Sequence, residues 1–225
     1  MVKLRPTSSL WLFLFLLSSP LLYCTVWYCN YQLHPSNFPM SQKGADFVQI
    51  PLSSYLNNKG IGSAPSQGDF DGSGYSYPAS QLPPAGQTII NGVSYRFPNS
   101  APGANDNIAA LGQTIVLPHG NYHQAYLLVS ASWGLISDEV FVHYIDGSTS
   151  LRLVNADDWR IGRPGVISAS YRYSPTSIDR GSVYIYAIQI PIDSTKTASS
   201  LTLPMTAVPS PYTPCLHVFA LTLQQ

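Results

Sequence analysis

The chain has 225 residues, of which 45% are hydrophobic and only 10% are charged, against about 25% charged residues in an average globular protein. Its 11 basic and 11 acidic residues give a formal net charge of zero. This balance provides no basic patch for nucleic acid or anionic lipid, so a neutral partner fits best. The 15 tyrosines and 4 tryptophans supply rings that can fill a core or stack on a ligand.

Residues 1–24 have the order of a secretory signal, because Lys3 and Arg5 precede an apolar run over residues 10–22. If residues 25–29 are added, the apolar segment 10–29 is long enough to cross a bilayer as an uncleaved anchor. Both alternatives export the remainder, either as a secreted protein or as the outer domain of a single-pass type II membrane protein.

The three cysteines agree with an extracellular location. Cys24 lies at the edge of the signal, which leaves Cys29 and Cys215 as a candidate disulfide pair. Such a bond would close a very long loop and could stabilise the fold by about 3 to 5 kcal/mol in the chain-entropy model. Two unpaired cysteines are the alternative.

Residues 25–45 are predicted to be a linker, because Pro35, Pro39 and Gly44 interrupt any sustained period. The folded unit is expected to cover residues 46–225, where short β-branched and aromatic runs alternate with Gly, Pro, Asn and Asp. Eight strands in fewer than 180 residues predict an all-β, antiparallel β-sandwich or jelly roll. The predicted strands are residues 47–52, 93–97, 113–117, 126–132, 139–145, 183–190, 199–203 and 216–223.

Two features support a two-layer fold. The segment 183–188 is apolar at both odd and even positions, which is typical of an inner strand covered on both faces. Asn91-Gly92, between residues 88–90 and 93–97, and Asp146-Gly147 predict hairpin turns.

The loop Asp-Phe-Asp-Gly-Ser-Gly-Tyr-Ser-Tyr-Pro, residues 69–78, combines acidic, flexible and aromatic residues. Its spacing matches the first half of a calcium loop, so Asp69 and Asp71 are candidate ligands of a structural calcium ion. It is not an EF-hand, because the position of the bidentate glutamate is Ser80. A hydrogen-bonded Asx-type turn without metal is the alternative.

Further short motifs follow one another in a fixed order. They are Val48-Gln49-Ile50-Pro51-Leu52, Asn57-Asn58-Lys59-Gly60-Ile61-Gly62, the loop 69–78, Asp106-Asn107, Gly112-Gln113-Thr114-Ile115, residues 126–131, Tyr144-Ile145-Asp146-Gly147, Asp158-Trp159, residues 190–196, Leu201-Thr202-Leu203-Pro204 and residues 216–220. In this order, over residues 46–223, they resemble a galactose-binding-like β-sandwich domain that occurs beside bacterial and fungal glycoside hydrolases.

The resemblance implies a noncatalytic accessory module that associates with carbohydrate. Because the chain shows no accompanying hydrolase domain, we expect it to act alone or to be a fragment of a larger glycoside hydrolase. Residues 161–180 are expected to form an irregular insertion, since Gly162, Pro164, Gly165 and Pro175 interrupt them.

Trp159 is the leading candidate for stacking on a sugar, because its neighbours are polar and it follows a predicted strand. Core packing is the alternative for every such ring. The further candidates are Trp133, Tyr171 and Tyr173 as stacking residues, and Asn155, Asp157, Asp158 and Arg160 as polar partners.

The sequence does not predict an enzyme. A glycosidase needs two facing carboxyl groups, but Glu139 is the single glutamate, and Asp157 and Asp158 would point to opposite faces of an extended chain. No nucleophile elbow and no zinc motif are present. We therefore predict a secreted, monomeric, noncatalytic module that binds a neutral glycan; a structural or adhesive protein-binding surface protein is the alternative.

Overall fold

The computed structural model of the protein describes residues 46–101 and 103–225. The predicted signal or anchor and the linker, with Cys24 and Cys29, lie outside the described residues. Within them, one three-residue 3-10 turn, Ala79–Gln81, is the sole helical element, and no helix is long and apolar enough to span a membrane. The strands of this part are β1 (Phe47–Ile50), β2 (Ile61–Gly62), β3 (Tyr77–Pro78), β4 (Gly86–Ile90), β5 (Val93–Phe97), β6 (Ile108–Ala109), β7 (Thr114–Gly120), β8 (Gln124–Ser132), β9 (Ile136–Tyr144), β10 (Thr149–Ala156), β11 (Ile167–Tyr173), β12 (Ile178–Pro191), β13 (Ala198–Thr202) and β14 (Cys215–Gln224).

Two antiparallel sheets form the body of the domain. One has six strands, in the order β1-β14-β8-β12-β11, with β6 also paired to β14. The other has four strands, in the order β10-β9-β13-β7. The hairpin β4–β5 and the short parallel pair β2–β3 are separate. This architecture confirms the predicted all-β sandwich.

The main hydrophobic core is made by residues of both large sheets. Leu127 and Val129 of β8 and Val140 and Val142 of β9 are fully buried members of it. The two residues of each pair are separated by one position, and both point into this core because alternate side chains of a strand point to the same face.

A second core covers the opposite face of the six-stranded sheet. Val183 and Ile185 of β12 and Phe219 of β14 contribute to it, whereas Tyr186 belongs to the main core. Its other side is built from β2, β3, β5 and residues of the loops between them. The inner position predicted for residues 183–188 is therefore confirmed, and the sheet is buried on both faces.

All eight predicted strands coincide with observed strands, and the Asn91-Gly92 turn is confirmed. Both turn residues have positive φ, +50° and +80°, as a type I′ hairpin requires. Six observed strands lie outside the eight predicted ones: β2, β3 and β6 have two residues each, and β4 contains the predicted hairpin segment 88–90. The other two, β10 and β11, were not predicted, and β11 shows that the expected irregular segment 161–180 is wrong over Ile167–Tyr173. Both are edge strands of their sheets, and their exposed polar positions, such as Ser168 and Ser170, weaken the apolar pattern.

Phe219 lies at the centre of the second core. Its ring stacks on Phe97 at 6.2 Å and meets Tyr77 edge-on at 5.7 Å. We expect Phe219→Ala to lower the free energy of unfolding by about 3 to 5 kcal/mol, because the removed ring leaves a cavity. Denaturant unfolding measures this loss. Leu153→Ala is the control, since Leu153 is 62% exposed and should change stability by about 0.5 kcal/mol or less; equal losses would contradict the assignment.

Candidate functional site

The loop that contains both predicted metal ligands is a hydrogen-bonded turn. Asp71 Oδ1 accepts the N–H groups of Ser73 at 2.9 Å and Tyr75 at 3.4 Å. Asp69 Oδ1 accepts the N–H of Gly74 at 2.8 Å, and Gly74 has a φ of +78°. These contacts are the Asx-type alternative to a metal site.

The two carboxylates fit a calcium ion poorly. Calcium takes roughly six to eight oxygen ligands, whereas the described residues contain no cluster of three or more His, Cys, Asp or Glu side chains that could hold a metal. Asp71 Oδ2 instead lies 3.9 Å from a guanidinium nitrogen of Arg172. The geometry therefore favours the Asx-type turn over calcium binding at Asp69 and Asp71, and a calcium titration tests the choice.

Arg172 is the central charged residue of this region, although its side chain is only 9% exposed. Its Nε donates to Asp179 Oδ2 at 2.7 Å. The guanidinium carbon lies 3.8 Å from the ring centre of Tyr75 and 5.2 Å from that of Trp159, within cation–π range. Among the described residues, its two terminal nitrogens have no hydrogen-bond acceptor.

Asp71 is equally enclosed, with a side chain 3% exposed. Burial raises the pKa of its carboxyl group, and the N–H groups of Ser73 and Tyr75 and the charge of Arg172 oppose that rise. Asp71 Oδ2 can therefore accept a hydrogen bond, and the terminal N–H groups of Arg172 can donate one, at neighbouring and mostly buried positions.

A cleft of about 470 Å³ opens at these groups. It lies among the turn at 71–75, the segment after β8 and the segment after β10. A smaller cavity of about 250 Å³ beside the hairpin β4–β5 has a single charged side chain, Arg96, in its lining. The larger cleft is lined by Asp71, Tyr75, Trp133, Gly134, Asp158, Trp159, Arg160, Ile161 and Arg172.

One wall of the cleft is Trp133, whose ring has an exposed aromatic neighbour outside the lining. Trp133 Nε1 donates to the backbone oxygen of Asp71 at 2.6 Å, which fixes the indole ring. The ring of Tyr212 lies 4.7 Å from it and is 83% exposed. The loop that carries Tyr212 lies against the turn at residues 71–75. The backbone of Ser210 is so close to Gly72 that a Cβ atom at position 72 would collide with it.

Both rings stand on strained backbone. Trp133 has a φ of +60° and Tyr212 a φ of +63°, a conformation that costs a non-glycine residue about 1 to 3 kcal/mol and that clusters at functional sites. The structure therefore holds this pair in place against a local preference.

Asp158 joins two walls of the cleft. Its Oδ2 accepts the N–H of Gly134 at 2.7 Å, and its Oδ1 accepts the N–H groups of Arg160 at 2.8 Å and Ile161 at 3.2 Å. All these bonds are internal. Asp158, which was predicted to bind a ligand, thus holds the loops on two sides of the cleft together. The Arg160 side chain lines the cleft and forms an ion pair with Asp179 at 3.3 Å.

Trp159 differs from its predicted role. It is 2% exposed and packs on Phe70 at 4.6 Å and Tyr77 at 4.9 Å. It borders the cleft, but it is a core residue because the second core encloses it. Trp133, half-buried beside the exposed Tyr212, is the accessible ring.

Four other candidates do not line the cleft. Tyr171 and Tyr173 alternate with Arg172 along β11, so their rings leave the opposite face of the strand; their hydroxyl groups lie 3.5 Å apart. Asn155 is exposed on the edge strand β10. Asp157 pairs with the exposed Arg163 instead.

Sequence reasoning missed three residues of this region, Tyr75, Arg172 and Tyr212. Arg172 lies in the segment expected to be irregular. A signal for Tyr212 was present, because it lies between Pro211 and Pro214 in a polar loop, where an aromatic ring has few core neighbours.

The predicted disulfide stays a prediction, because Cys29 lies outside the described residues. Cys215 is fully buried at the start of β14. Its Sγ lies 3.6 Å from the backbone oxygen of Leu216, and burial raises the pKa of its thiol to about 11.

A chain of hydrogen bonds lies behind the cleft. His217 Nδ1 contacts Asn107 Oδ1 at 2.8 Å, His217 Nε2 contacts Ser132 Oγ at 3.3 Å, and Asn107 Nδ2 donates to Asp106 Oδ1 at 2.7 Å. The order Ser–His–Asn is that of a catalytic relay, but all these side chains are fully buried. The network joins β8, β14 and the segment before β6 by side-chain hydrogen bonds.

This network makes stability depend on pH. Burial lowers the pKa of His217 from 6.5 to about 3, so the unfolded chain binds the extra proton between these values and acid favours unfolding. Burial raises the pKa of Asp106 from 3.8 to about 6, so acid favours the folded state in that window.

We expect His217→Asn to remove the acid-destabilising contribution and leave that of Asp106. When the pH is lowered from about 7 to about 5, the native protein should therefore lose stability relative to the variant. The slopes of the free energy of unfolding against pH should differ by up to about 1.4 kcal/mol per pH unit. Denaturant unfolding at each pH measures the two slopes. His119→Asn, at an exposed histidine, is the control and should keep the native slope; equal slopes for all three proteins would refute the prediction.

We also expect the melting temperature to be the same in excess calcium and in excess chelator. An ion bound at a hundredfold excess over its Kd would stabilise the protein by about 2.7 kcal/mol, which thermal unfolding detects. A calcium-dependent rise that disappears in Asp69→Asn would contradict this expectation and establish the predicted metal site.

Comparison with known proteins agrees with this architecture. A family model described as the AziU2-like beta-sandwich domain matches residues 46–225. No curated protein matches the chain. The β-sandwich part of the sequence resemblance is thus confirmed over the whole described region, and the chain belongs to the AziU2-like β-sandwich domain family.

Proposed function

We propose that this β-sandwich is a noncatalytic carbohydrate-binding module of the galactose-binding-like type associated with glycoside hydrolases. A neutral glycan would bind in the cleft between Trp133, Tyr75 and Arg172. The observation that carries the proposal is the Trp133 ring, which lines the cleft beside a mostly buried carboxylate and guanidinium and has the exposed ring of Tyr212 as its neighbour.

The aromatic pair suits the C–H face of a sugar ring, which stacks on aromatic side chains while its hydroxyl groups bind polar atoms. The indole ring of Trp133 is already fixed by its bond to Asp71. Binding would therefore immobilise few side chains, and the entropy lost on association would be small.

The charges of the cleft favour a neutral ligand. Its lining contains two aspartates, Asp71 and Asp158, and two arginines, Arg160 and Arg172, so the formal charges cancel. Asp179 adds a further negative charge beside both arginines. An anionic ligand would meet these carboxylates, whereas a neutral saccharide would not be repelled.

The carboxylates of the cleft favour binding without hydrolysis. A glycosidase uses two carboxyl groups, one on each side of the scissile bond. Both oxygens of Asp158 already accept backbone N–H groups. Of the two lining carboxylates, Asp71 therefore has the oxygen, Oδ2, that accepts no N–H group.

The proposed location is outside the cell, as a secreted or anchored protein. This part of the proposal rests on the first 22 residues, in which two basic residues precede an apolar run.

We expect the purified protein to be retarded in native gels that contain galactan, galactomannan, arabinoxylan or β-glucan. Tyr212→Ala should weaken the retardation a few-fold to about tenfold, because one ring stacking contributes about 0.5 to 1.5 kcal/mol. Trp133→Ala should weaken it by at least as much.

Tyr171→Ala is the matched control, since it removes a partly exposed tyrosine from the other face of β11 and should bind as the native protein does. Absence of retardation by every polysaccharide would refute the proposal and favour the protein-binding alternative. An equal loss in Tyr171→Ala and Tyr212→Ala would place binding elsewhere on the sandwich.

A further inference from the structure

We propose that Asp71 and Arg172 together bind free hydroxyl groups of the sugar ring that stacks on Trp133. This inference rests on the proposed function and assigns a specificity: neutral saccharides with adjacent unsubstituted hydroxyl groups.

The spacing of the two groups is the first argument. Asp71 Oδ2 and the terminal nitrogen of Arg172 are 3.9 Å apart, which is beyond the range of about 2.7 to 3.2 Å for an N–H···O hydrogen bond. One hydroxyl oxygen, or two adjacent ones, can lie about 2.8 Å from each group and bridge them. The two side chains are thus placed for a shared partner rather than for each other.

The donor and acceptor inventory is the second argument. Asp71 Oδ1 is occupied by two loop N–H groups, which leaves Oδ2 as the acceptor. Arg172 Nε is occupied by Asp179, which leaves the terminal N–H groups as donors. A hydroxyl group both donates and accepts, so it satisfies both sides at once.

Preorganisation is the third argument. Two N–H groups hold Asp71, and the Asp179 carboxylate and the Tyr75 ring hold Arg172. Both side chains are more than nine-tenths buried. Hydrogen bonds to charged groups are strong, and little rotamer freedom is lost when they form to groups that are already fixed and mostly buried.

This chemistry separates ligand classes. A carboxylate or sulfate group has no hydrogen to donate and would face the charge of Asp71. A methyl ether can accept from Arg172 but cannot donate to Asp71. The pair therefore selects free hydroxyl groups over uronic acids and over O-methylated sugars.

Asp71→Asn is the decisive variant. Its amide oxygen still accepts the N–H groups of Ser73 and Tyr75, so the turn is kept, while an NH₂ group replaces the accepting oxygen. We expect the full-length variant to bind the most strongly retarding of the four polysaccharides tenfold or more weakly. Its circular dichroism spectrum should match that of the native protein.

Arg172→Lys keeps the charge but loses the planar fork and should also weaken binding tenfold or more. If Arg172→Lys does not fold, Asp71→Asn decides alone. Asp146→Asn, at a half-exposed carboxylate in the turn between β9 and β10, is the control and should bind as the native protein does.

The ligand side gives an independent readout. The same polysaccharide, after complete O-methylation, should lose its binding to the native protein, as should its carboxymethylated form. A native protein that binds no polysaccharide refutes the proposed function. A native protein that binds, with Asp71→Asn or the methylated polysaccharide binding equally well, refutes this inference alone.

Discussion

The burial of the six-stranded sheet on both faces is the constraint on which the rest of the structure depends. Alternate residues of β12 are apolar in both directions, so each face must be covered. The four-stranded sheet covers one face, and β2, β3, β5 and the loops between them cover the other. The candidate site lies in this second covering layer, since it begins at the turn between β2 and β3.

Phe70 connects that packing to the site. It is fully buried between the rings of Trp159 and His217, at 4.6 Å and 3.9 Å. Asp69 and Asp71 flank it in sequence, and each carboxylate binds N–H groups of the turn that follows. The aromatic cluster thus fixes the position of Asp71, and the buried network behind it fixes His217 in turn.

The sequence predicts the fold better than the site. Strands and turns are determined by residues close in sequence, whereas the site is formed by residues far apart in sequence. Strand period and turn residues are local, so all eight predicted strands and the Asn91-Gly92 turn were correct. The strands outside the predicted set are the two-residue strands β2, β3 and β6, the hairpin strand β4, and the edge strands β10 and β11. The cleft depends on contacts between residues far apart, such as Asp71 with Arg172 and Trp133 with Tyr212. The polar neighbours of Trp159 in the sequence suggested that its ring is exposed. Packing against Phe70 and Tyr77, which are distant in sequence, buries the ring instead.

The cleft concentrates charge in a protein that contains little of it. Only 10% of the residues are charged, yet Asp71, Arg160, Arg172 and Asp179 lie together. Burying a carboxylate and a guanidinium costs desolvation energy, which close hydrogen bonding normally offsets. At 3.9 Å, Asp71 and Arg172 do not hydrogen-bond to each other, although each has hydrogen-bond partners elsewhere. A ligand hydroxyl that joins both groups would supply the bond that they do not make with each other, and it would do so only in the bound state.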